Sequence, residues 1–216
     1  MSNKKKMNLA IFGAGGFAKE SWALFNEQKN IHVECFVDIA PKEKTIKKIP
    51  IVSEKSFLKN YSSRDIDAVF VAVSDMTGLR QKIYQNLSDK AYKFAQFVHS
   101  SCVLMDGVLI GEGTVLYPFV SIQADSTVGR GVLINTAVTI GHDCRIGDFV
   151  TLNPGVNVAG NVHIKKNTFV GMGANIVEKV TVGENAVIGA GAVILDDVPD
   201  NVVVVGVPGK VIKKRD

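Results

Sequence analysis

The second half of the chain repeats every six residues. From residue 102 to residue 197, sixteen consecutive hexads carry Leu, Ile or Val at their third position, and their first position is always Cys, Val, Thr, Ser or Ala. Residues two apart on a strand face the same side, so both positions point inward from a short strand. The other positions are rich in Gly, Asp and Asn, which favour turns. Three hexads per turn predict a triangular solenoid of about five stacked parallel coils.

The first half of the chain has a different pattern, in which apolar strands alternate with helices. The predicted strands span residues 7–12, 32–38, 66–74 and 93–101, and the predicted helices span residues 13–28 and 77–87. This alternation predicts a small parallel sheet of the Rossmann-like type. The basic segment 39–50 is expected to be a loop. We therefore predict an α/β domain over residues 1–98 and a β-helix domain with a C-terminal tail over residues 99–216.

Composition places the chain among globular proteins that work in a reducing compartment. It has 216 residues, of which 46% are hydrophobic, and no apolar run long enough to span a bilayer. The start, MSNKKKMNLAIF, leads into glycines instead of a signal-peptide cleavage site. The three cysteines show neither paired nor metal-type spacing. We expect a cytoplasmic protein.

Charge differs between the two halves and bears on the ligand. Residues 1–101 carry 16 Lys and Arg against 10 Asp and Glu, a net charge of +6, whereas residues 102–197 carry 5 against 9, a net charge of −4. A mildly basic N-terminal half suits an anionic ligand such as a nucleotide. Its lysines are scattered without interleaved aromatic residues, which argues against nucleic acid as a partner.

A glycine-rich turn follows the first predicted strand. Residues 13–18, GAGGFA, fit the G-x-G-x-x-G/A pattern, and Asp38 ends the second strand where a ribose-binding acid is expected. Backbone N–H groups at a helix N-terminus can bind phosphate oxygens. Three interpretations remain open: NAD binding, a purely structural turn, and binding of a nucleotide-linked small ligand. The small number of strands before the solenoid disfavours a dinucleotide.

His142 is the one histidine of four that occupies a solenoid corner and is followed directly by an acid, Asp143. The pair is either a solvated corner or a general base with its supporting carboxylate. Zinc is not expected, because the solenoid holds only one further histidine, His163. Cys102 and Cys144 fall at the inward first position, so we interpret them as small core residues and not as nucleophiles.

Four motifs resemble those of one enzyme family: IFGAGGFAKE, INTAVTIGHDCRIGDFV, GVNVAGNVHI and VGVPGKVI. The family is that of the hexapeptide-repeat, left-handed β-helix acetyltransferases, whose members N-acetylate nucleotide-linked amino-sugars or O-acetylate sialic acids. The resemblance covers nearly the whole chain. It implies a left-handed coil, acetyl-CoA as cosubstrate, no metal, and a cytoplasmic homotrimer with active sites between subunits. It also implies a role in bacterial surface-glycan synthesis, such as that of lipopolysaccharide.

The resemblance further assigns roles to individual residues. It makes His142 the base, Asp143 its supporting carboxylate, and the N–H of Gly160 the oxyanion donor. The positions that match the substrate site are Gly15, Gly16, Phe17, Asp38, Ser74 and Asp75, joined by Asn135, and those that match the cofactor site are Thr151, Gly160, Met172, Ala190 and Lys210. Lys210 is alternatively a solvated tail lysine.

Three functions are consistent with these residues. The first is N-acetylation of a nucleotide-linked amino-sugar, of the 4-amino-4,6-dideoxy kind. The second is O-acetylation of a sialic-acid-type sugar. The third is a catalytically silent nucleotide-sugar-binding trimer, suggested by Phe17, because many relatives have a histidine there that contacts the sugar-nucleotide.

Overall fold

The computed structural model describes residues 6–74 and 76–215, which form two compact units. One unit comprises residues 6–74 and 79–95, and the other comprises residues 76–78 and 96–215. Within the described residues, no helix has the length and apolar character needed to cross a bilayer.

The N-terminal unit is a five-stranded sheet with helices, ordered β3-β4-β2-β1-β5. Its elements are β1 Met7–Phe12, α1 Gly16–Asn26, β2 Ile31–Asp38, β3 Thr45–Ile46, β4 Ile49–Ser53, α2 Glu54–Asn60, β5 Ala68–Val71 and α3 Leu79–Ser88. The β1–β2, β1–β5 and β2–β4 pairs are parallel, and β3–β4 is antiparallel. Strand β5 ends this order and is still buried along its whole length, and its Val69 forms a parallel bridge with Phe94.

The expectation of a loop over residues 39–50 is wrong in part. This segment contains the β3–β4 hairpin, whose turn is formed by Lys47 and Lys48 at φ 51° and 68°. Two successive residues with positive φ fit the tight turn that suits a hairpin. The turn escapes a sequence reading because lysines stand where Asn-Gly or Asp-Gly is usual. Strand β4 then joins the parallel sheet beside β2, pairing Ile51 with Phe36.

The C-terminal unit is a parallel β-helix built from two-residue strands. They are β6 Phe97–Val98, β7 Val103–Leu104, β8 Leu109–Ile110, β9 Val115–Leu116, β10 Ser121–Ile122, β11 Thr127–Val128, β12 Leu133–Ile134, β13 Thr139–Ile140, β14 Arg145–Ile146, β15 Thr151–Leu152, β16 Asn157–Val158, β17 His163–Ile164, β18 Phe169–Val170, β19 Asn175–Ile176, β20 Thr181–Val182, β21 Val187–Ile188 and β22 Val193–Ile194. Longer strands β23 Val202–Val205 and β24 Lys210–Lys214 follow as an antiparallel pair.

Three sheets form the sides of the coil. Their strand orders are β22-β19-β16-β13-β10-β7, β20-β17-β14-β11-β8 and β24-β23-β21-β18-β15-β12-β9-β6. Each short strand pairs in parallel with the strand one coil away, as Ser121 does with Thr139. This spacing of three hexads per coil confirms the predicted repeat.

The axis of the coil is filled by the inward hexad positions. From Thr114 and Leu116 onward, every first and third position is buried, and these side chains form one continuous core. Leu104 in the first coil is 39% exposed, because its strand β7 is the edge of its sheet. The predicted inward faces are therefore confirmed beyond the first coil.

Candidate active site

The corner between β13 and β14 carries the ionisable pair that the sequence singles out. It consists of Gly141, His142 and Asp143 and leads into Cys144. Asp143 adopts φ 56°, a left-handed conformation that aspartate tolerates better than most residues. Its N–H donates to the carbonyl oxygen of Ala124 in the preceding coil at 3.0 Å. Backbone hydrogen bonds thus fix the corner while its two polar side chains extend outward.

The His142 ring and the Asp143 carboxylate form a hydrogen-bonded pair. Asp143 Oδ2 lies 2.7 Å from His142 Nδ1, and the two side chains are 56% and 55% exposed. An ionised carboxylate only accepts, so Nδ1 carries the proton and Nε2 of the neutral ring holds the lone pair. An exposed pair of this kind adds little to stability. Its effect is to hold the imidazole in the tautomer that accepts a proton at Nε2.

Gly160 lies one coil further along the same corner, directly against the imidazole. A Cβ at position 160 would stand 2.6 Å from His142 Nε2 and 2.9 Å from Cε1, so any larger residue there would displace the ring from this position. Among the described residues, none accepts a hydrogen bond from the Gly160 N–H. The structure therefore places the His142 imidazole between the Asp143 carboxylate and the backbone of Gly160. The roles of base, supporting carboxylate and oxyanion donor stay predictions.

Three other predicted residues lie at a different corner of the coil. Asn135, Met172 and Ala190 follow β12, β18 and β21, and the sheet that contains β13 separates their corner from that of His142. Met172 is 60% exposed and Ala190 is also exposed. A single chain thus does not place these residues beside the imidazole.

The remaining two predicted cofactor residues differ in access. Thr151 is buried within β15, at 4% exposure. Lys210 begins β24 and is exposed. Lys210 is thus open to an anionic group, whereas the Thr151 side chain has little contact with solvent.

The cysteines have the character of core residues. Burial is the main cause of the raised pKa of Cys102 and Cys144, and it raises the pKa of Cys35 to about 12. Cys144 is fully buried and donates its S–H to the Ala159 carbonyl oxygen at 3.1 Å. All three are protonated thiols near neutral pH, which does not favour a thiolate nucleophile.

The glycine turn before α1 forms an open helix N-terminus. Gly13 adopts φ 119°, and a Cβ there would stand 2.7 Å from the carbonyl oxygen of Ala72, so the close approach of the turn to the end of β5 requires glycine. Gly15 is the N-cap of α1 and supplies no side-chain cap. Around Gly15 and Gly16, nothing lies within 4 Å of where a Cβ would be. The first amides of the helix are thus accessible to an anion.

Two cavities meet at Asp38, where β2 ends. One, of about 260 Å³, is lined by Gly15 together with Lys42 and Glu43. The other, of about 150 Å³, has mainly apolar walls that include Phe12, Val37, Ile39 and Val73. Asp38 lines both, and its Oδ1 accepts the Ala40 N–H at 2.9 Å. Sequence reasoning missed Lys42 and Glu43, although charged residues just after a β-strand of this type are a signal for ligand contact.

Phe17 lies in neither cavity lining. Its ring centroid is 6.4 Å from that of the fully buried Phe70, so it packs against the sheet. Ser74 is exposed beyond the end of β5. Asp75, predicted as its partner, lies outside the described residues.

Two family models match this chain. The model of the PglD N-terminal domain matches residues 8–87, and the model of the bacterial transferase hexapeptide repeat (six repeats) matches residues 161–196. A curated relative, GDP-perosamine N-acetyltransferase of Escherichia coli O157:H7, is 32% identical over 130 residues. The matched region is 56% of this chain and 57% of that relative, so the match spans little more than half of the relative's length.

Solved structures match almost the whole chain. A variant of perosamine N-acetyltransferase from Caulobacter crescentus, in complex with CoA and GDP-perosamine, is 31% identical with a TM-score of 0.89, and the match covers 96% of this chain and 97% of that one. The acetyltransferase domain of PglB from Neisseria gonorrhoeae FA1090, in complex with acetyl coenzyme A, is 30% identical with a TM-score of 0.86, covering 96% and 100%. The predicted fold, an α/β N-terminal domain followed by a left-handed hexapeptide β-helix, is confirmed.

Proposed function

The chain belongs to the family of hexapeptide-repeat, left-handed β-helix acetyltransferases that includes perosamine N-acetyltransferase. On this premise we propose that it transfers an acetyl group from acetyl-CoA to the amine of a nucleotide-linked amino-sugar. The observation that carries the proposal is the His142–Asp143 pair, whose Nε2 lies against Gly160. The relatives named above bind CoA, acetyl-CoA and GDP-perosamine, which supports both reactants.

The chemistry follows from the tautomer that Asp143 enforces. As the sugar amine attacks the thioester carbonyl, His142 Nε2 takes the proton that the amine must lose. Asp143, 2.7 Å from Nδ1, stabilises the imidazolium that forms. The Gly160 N–H donates to the oxyanion of the tetrahedral intermediate. When that intermediate collapses, the C–S bond breaks and the imidazolium returns the proton to the departing thiolate.

A homotrimer with active sites between subunits explains the positions of the other residues. Asn135, Met172 and Ala190 line a different corner from His142, so one site contains both sets only if two chains contribute. Cyclic symmetry repeats such a two-chain site at every interface. Acetyl-CoA would lie along the groove between neighbouring coils, with Lys210 placed to meet a phosphate. Thr151 is proposed beside the cofactor from the resemblance alone, because its side chain is buried in the single chain.

The N-terminal unit, over residues 1–98 in our domain division, is the proposed site of the nucleotide. The Gly15 and Gly16 amides at the start of α1 suit phosphate oxygens, and Asp38 suits ribose hydroxyls. Ser74 and Asp75 complete the proposed set. Phe17 contributes packing in place of a polar contact, so the sugar pose differs from that in relatives with histidine. We propose a 4-amino-4,6-dideoxy sugar as acceptor and surface-glycan synthesis in the cytoplasm as the setting.

An acceptor panel tests this function. Purified protein and acetyl-CoA are incubated with GDP-, UDP-, dTDP- and CMP-linked 4-amino-4,6-dideoxy sugars and, separately, with sialic acid. The release of the CoA thiol and the mass of the product are both measured. Amide formation on one nucleotide amino-sugar supports the proposal. Ester formation on sialic acid, or stabilisation by a nucleotide sugar without any transfer, overturns it. A thermal-shift series with the same ligands ranks the nucleotides, because ligands that bind the folded state raise Tm.

A further inference from the structure

Small polar side chains at the inward first hexad position make a recurring hydrogen bond inside the coil. Each donates to the carbonyl oxygen of the residue fifteen positions later, and that residue is the first of the corner that follows a strand. The bonds are Thr114 Oγ1 to Gly129 O at 2.7 Å, Ser126 Oγ to Gly141 O at 2.8 Å, Thr168 Oγ1 to Gly183 O at 2.8 Å, Cys102 Sγ to Tyr117 O at 3.2 Å and Cys144 Sγ to Ala159 O at 3.1 Å. Hydroxyl donors thus hold their corners with shorter bonds than thiol donors.

Ser126 makes this bond at the corner that carries the base. It is fully buried, donates to the Gly141 carbonyl oxygen, and accepts the Cys144 N–H at 3.0 Å. These two partners directly precede and follow the His142–Asp143 pair in sequence. One hydroxyl therefore fixes both ends of the corner from the inside, while the pair itself extends into solvent.

The hydrogen-bonded column continues from this corner to the next. Cys144, whose N–H bonds to Ser126, donates its S–H to the carbonyl oxygen of Ala159. Ala159 immediately precedes Gly160, where an added Cβ would meet the imidazole. A buried hydroxyl left without partners is costly, so the column holds its members in place.

We propose that Ser126 is a positioning residue for His142: its buried hydroxyl sets the placement of the corner from which the imidazole reaches the sugar amine. The catalytic part of this role rests on the proposed acetyl transfer. Displacement of a reacting group by about 1 Å costs about 10²-fold in rate, so even a partial relaxation of this corner slows the chemical step. Substrate binding does not depend on the hydroxyl, which is buried.

The chain supplies a matched control for this role. Thr114 makes the same two bonds, donating to Gly129 O and accepting the Val132 N–H at 3.0 Å, around a corner that carries Arg130 and no acid–base pair. Ser126→Ala and Thr114→Val remove equivalent bonds, so both should lower Tm to a similar extent. Ser126→Ala alone should lower kcat, by about tenfold or more, with KM changed by no more than about twofold.

A graded series keeps the test informative if Ser126→Ala folds poorly. Threonine occupies the equivalent position at 114 and 168, so Ser126→Thr should keep the kcat of the wild type. Cysteine occupies it at 102 and 144 with longer bonds, so the kcat of Ser126→Cys should lie between those of the wild type and Ser126→Ala. Equal loss of kcat in Ser126→Ala and Thr114→Val, or unchanged kcat in Ser126→Ala, overturns the proposal.

A readout without turnover separates this inference from the proposed function. Imidazole NMR signals of His142, assigned by their absence in His142→Gln, should shift in Ser126→Ala and stay in place in Thr114→Val. If wild type acetylates none of the acceptors, the proposed function fails, and these signals still decide whether Ser126 positions the ring. Unmoved signals in Ser126→Ala overturn the positioning role.

Discussion

An alanine at position 160 would place a methyl group against the His142 imidazole. The Cβ would stand 2.6 Å from Nε2, 2.9 Å from Cε1 and 3.1 Å from Cδ2, whereas atoms in contact prefer about 3.5 Å or more. The ring must therefore move by about 1 Å. The backbone itself accepts alanine, because Gly160 does not have a positive φ and Ala124 occupies the equivalent corner one coil before His142.

We expect Gly160→Ala to lower kcat/KM by about 10²-fold, or about 2.7 kcal/mol in transition-state stabilisation. The ring is exposed and can swing outward, so the free energy of unfolding should change by less than about 1 kcal/mol. The assay follows thiol release from acetyl-CoA with the acceptor identified by the panel, and urea unfolding measures stability.

A double-mutant cycle shows whether the substitution acts through the ring. In a His142→Ala background no imidazole remains to displace, so Gly160→Ala should have no further effect on the rate. Wild-type activity in Gly160→Ala would refute the reasoning. So would an equal loss in both backgrounds, which would mean that the methyl group disturbs the backbone donor and not the base.

Three further outcomes are expected. Asp143→Asn should lower kcat by about 10²-fold and leave KM unchanged, because asparagine no longer enforces the tautomer of His142. This loss is smaller than the roughly 10⁴-fold seen in buried triads, because the pair is exposed to solvent. Burial raises the pKa of the Cys35 thiol from 9.0 in the unfolded chain to about 12 in the folded protein. Between these two pH values only the unfolded chain loses the proton, so this thiol should lower the free energy of unfolding by about 1.4 kcal/mol per pH unit. Cys35→Ala should reduce that slope, as measured by urea unfolding at a series of pH values. Gly13→Ala places a Cβ against the Ala72 carbonyl oxygen at φ 119°, so it should destabilise by about 2–4 kcal/mol in urea unfolding. Gly15→Ala, at the N-cap of α1 and in open space, should destabilise by less than about 1 kcal/mol.

The β-helix was predictable because each coil imposes the same demand on the sequence. A residue at an inward position contacts the coils on both sides, so the hexad cannot drift between residues 114 and 194. Only at Leu104, in the edge strand β7, does an inward position become exposed. The corner character of His142 and Asp143 follows from that same register.

The segment after Asp38 was less predictable because its elements are short and partly exposed. Strand β4 is only partly buried, and α2 spans seven residues, too few for a clear helical period. One signal was present: Ser53 caps α2, its hydroxyl accepting the Ser56 N–H at 3.2 Å. A serine before a short polar stretch is a recognisable helix start.

The structural supports of the site lie beyond a residue-by-residue reading. Ser126 falls at an inward position where serine looks like any small core residue, and its two bonds appear only when coils are stacked in register. Phe17 shows the converse: a motif places it at the sugar site, whereas its ring packs towards Phe70. Contacts between coils and across the sheet decide both cases.

The central claim is that His142 takes the proton from the attacking amine, and its pH–rate profile against that of His142→Gln tests this most directly. Glutamine keeps a similar size and polarity but cannot accept the proton. We expect the variant to lose about 10²–10⁴-fold in kcat between about pH 6 and pH 9, together with the pH dependence of the wild-type rate. A variant that keeps the wild-type rate and pH dependence across that range would contradict this claim.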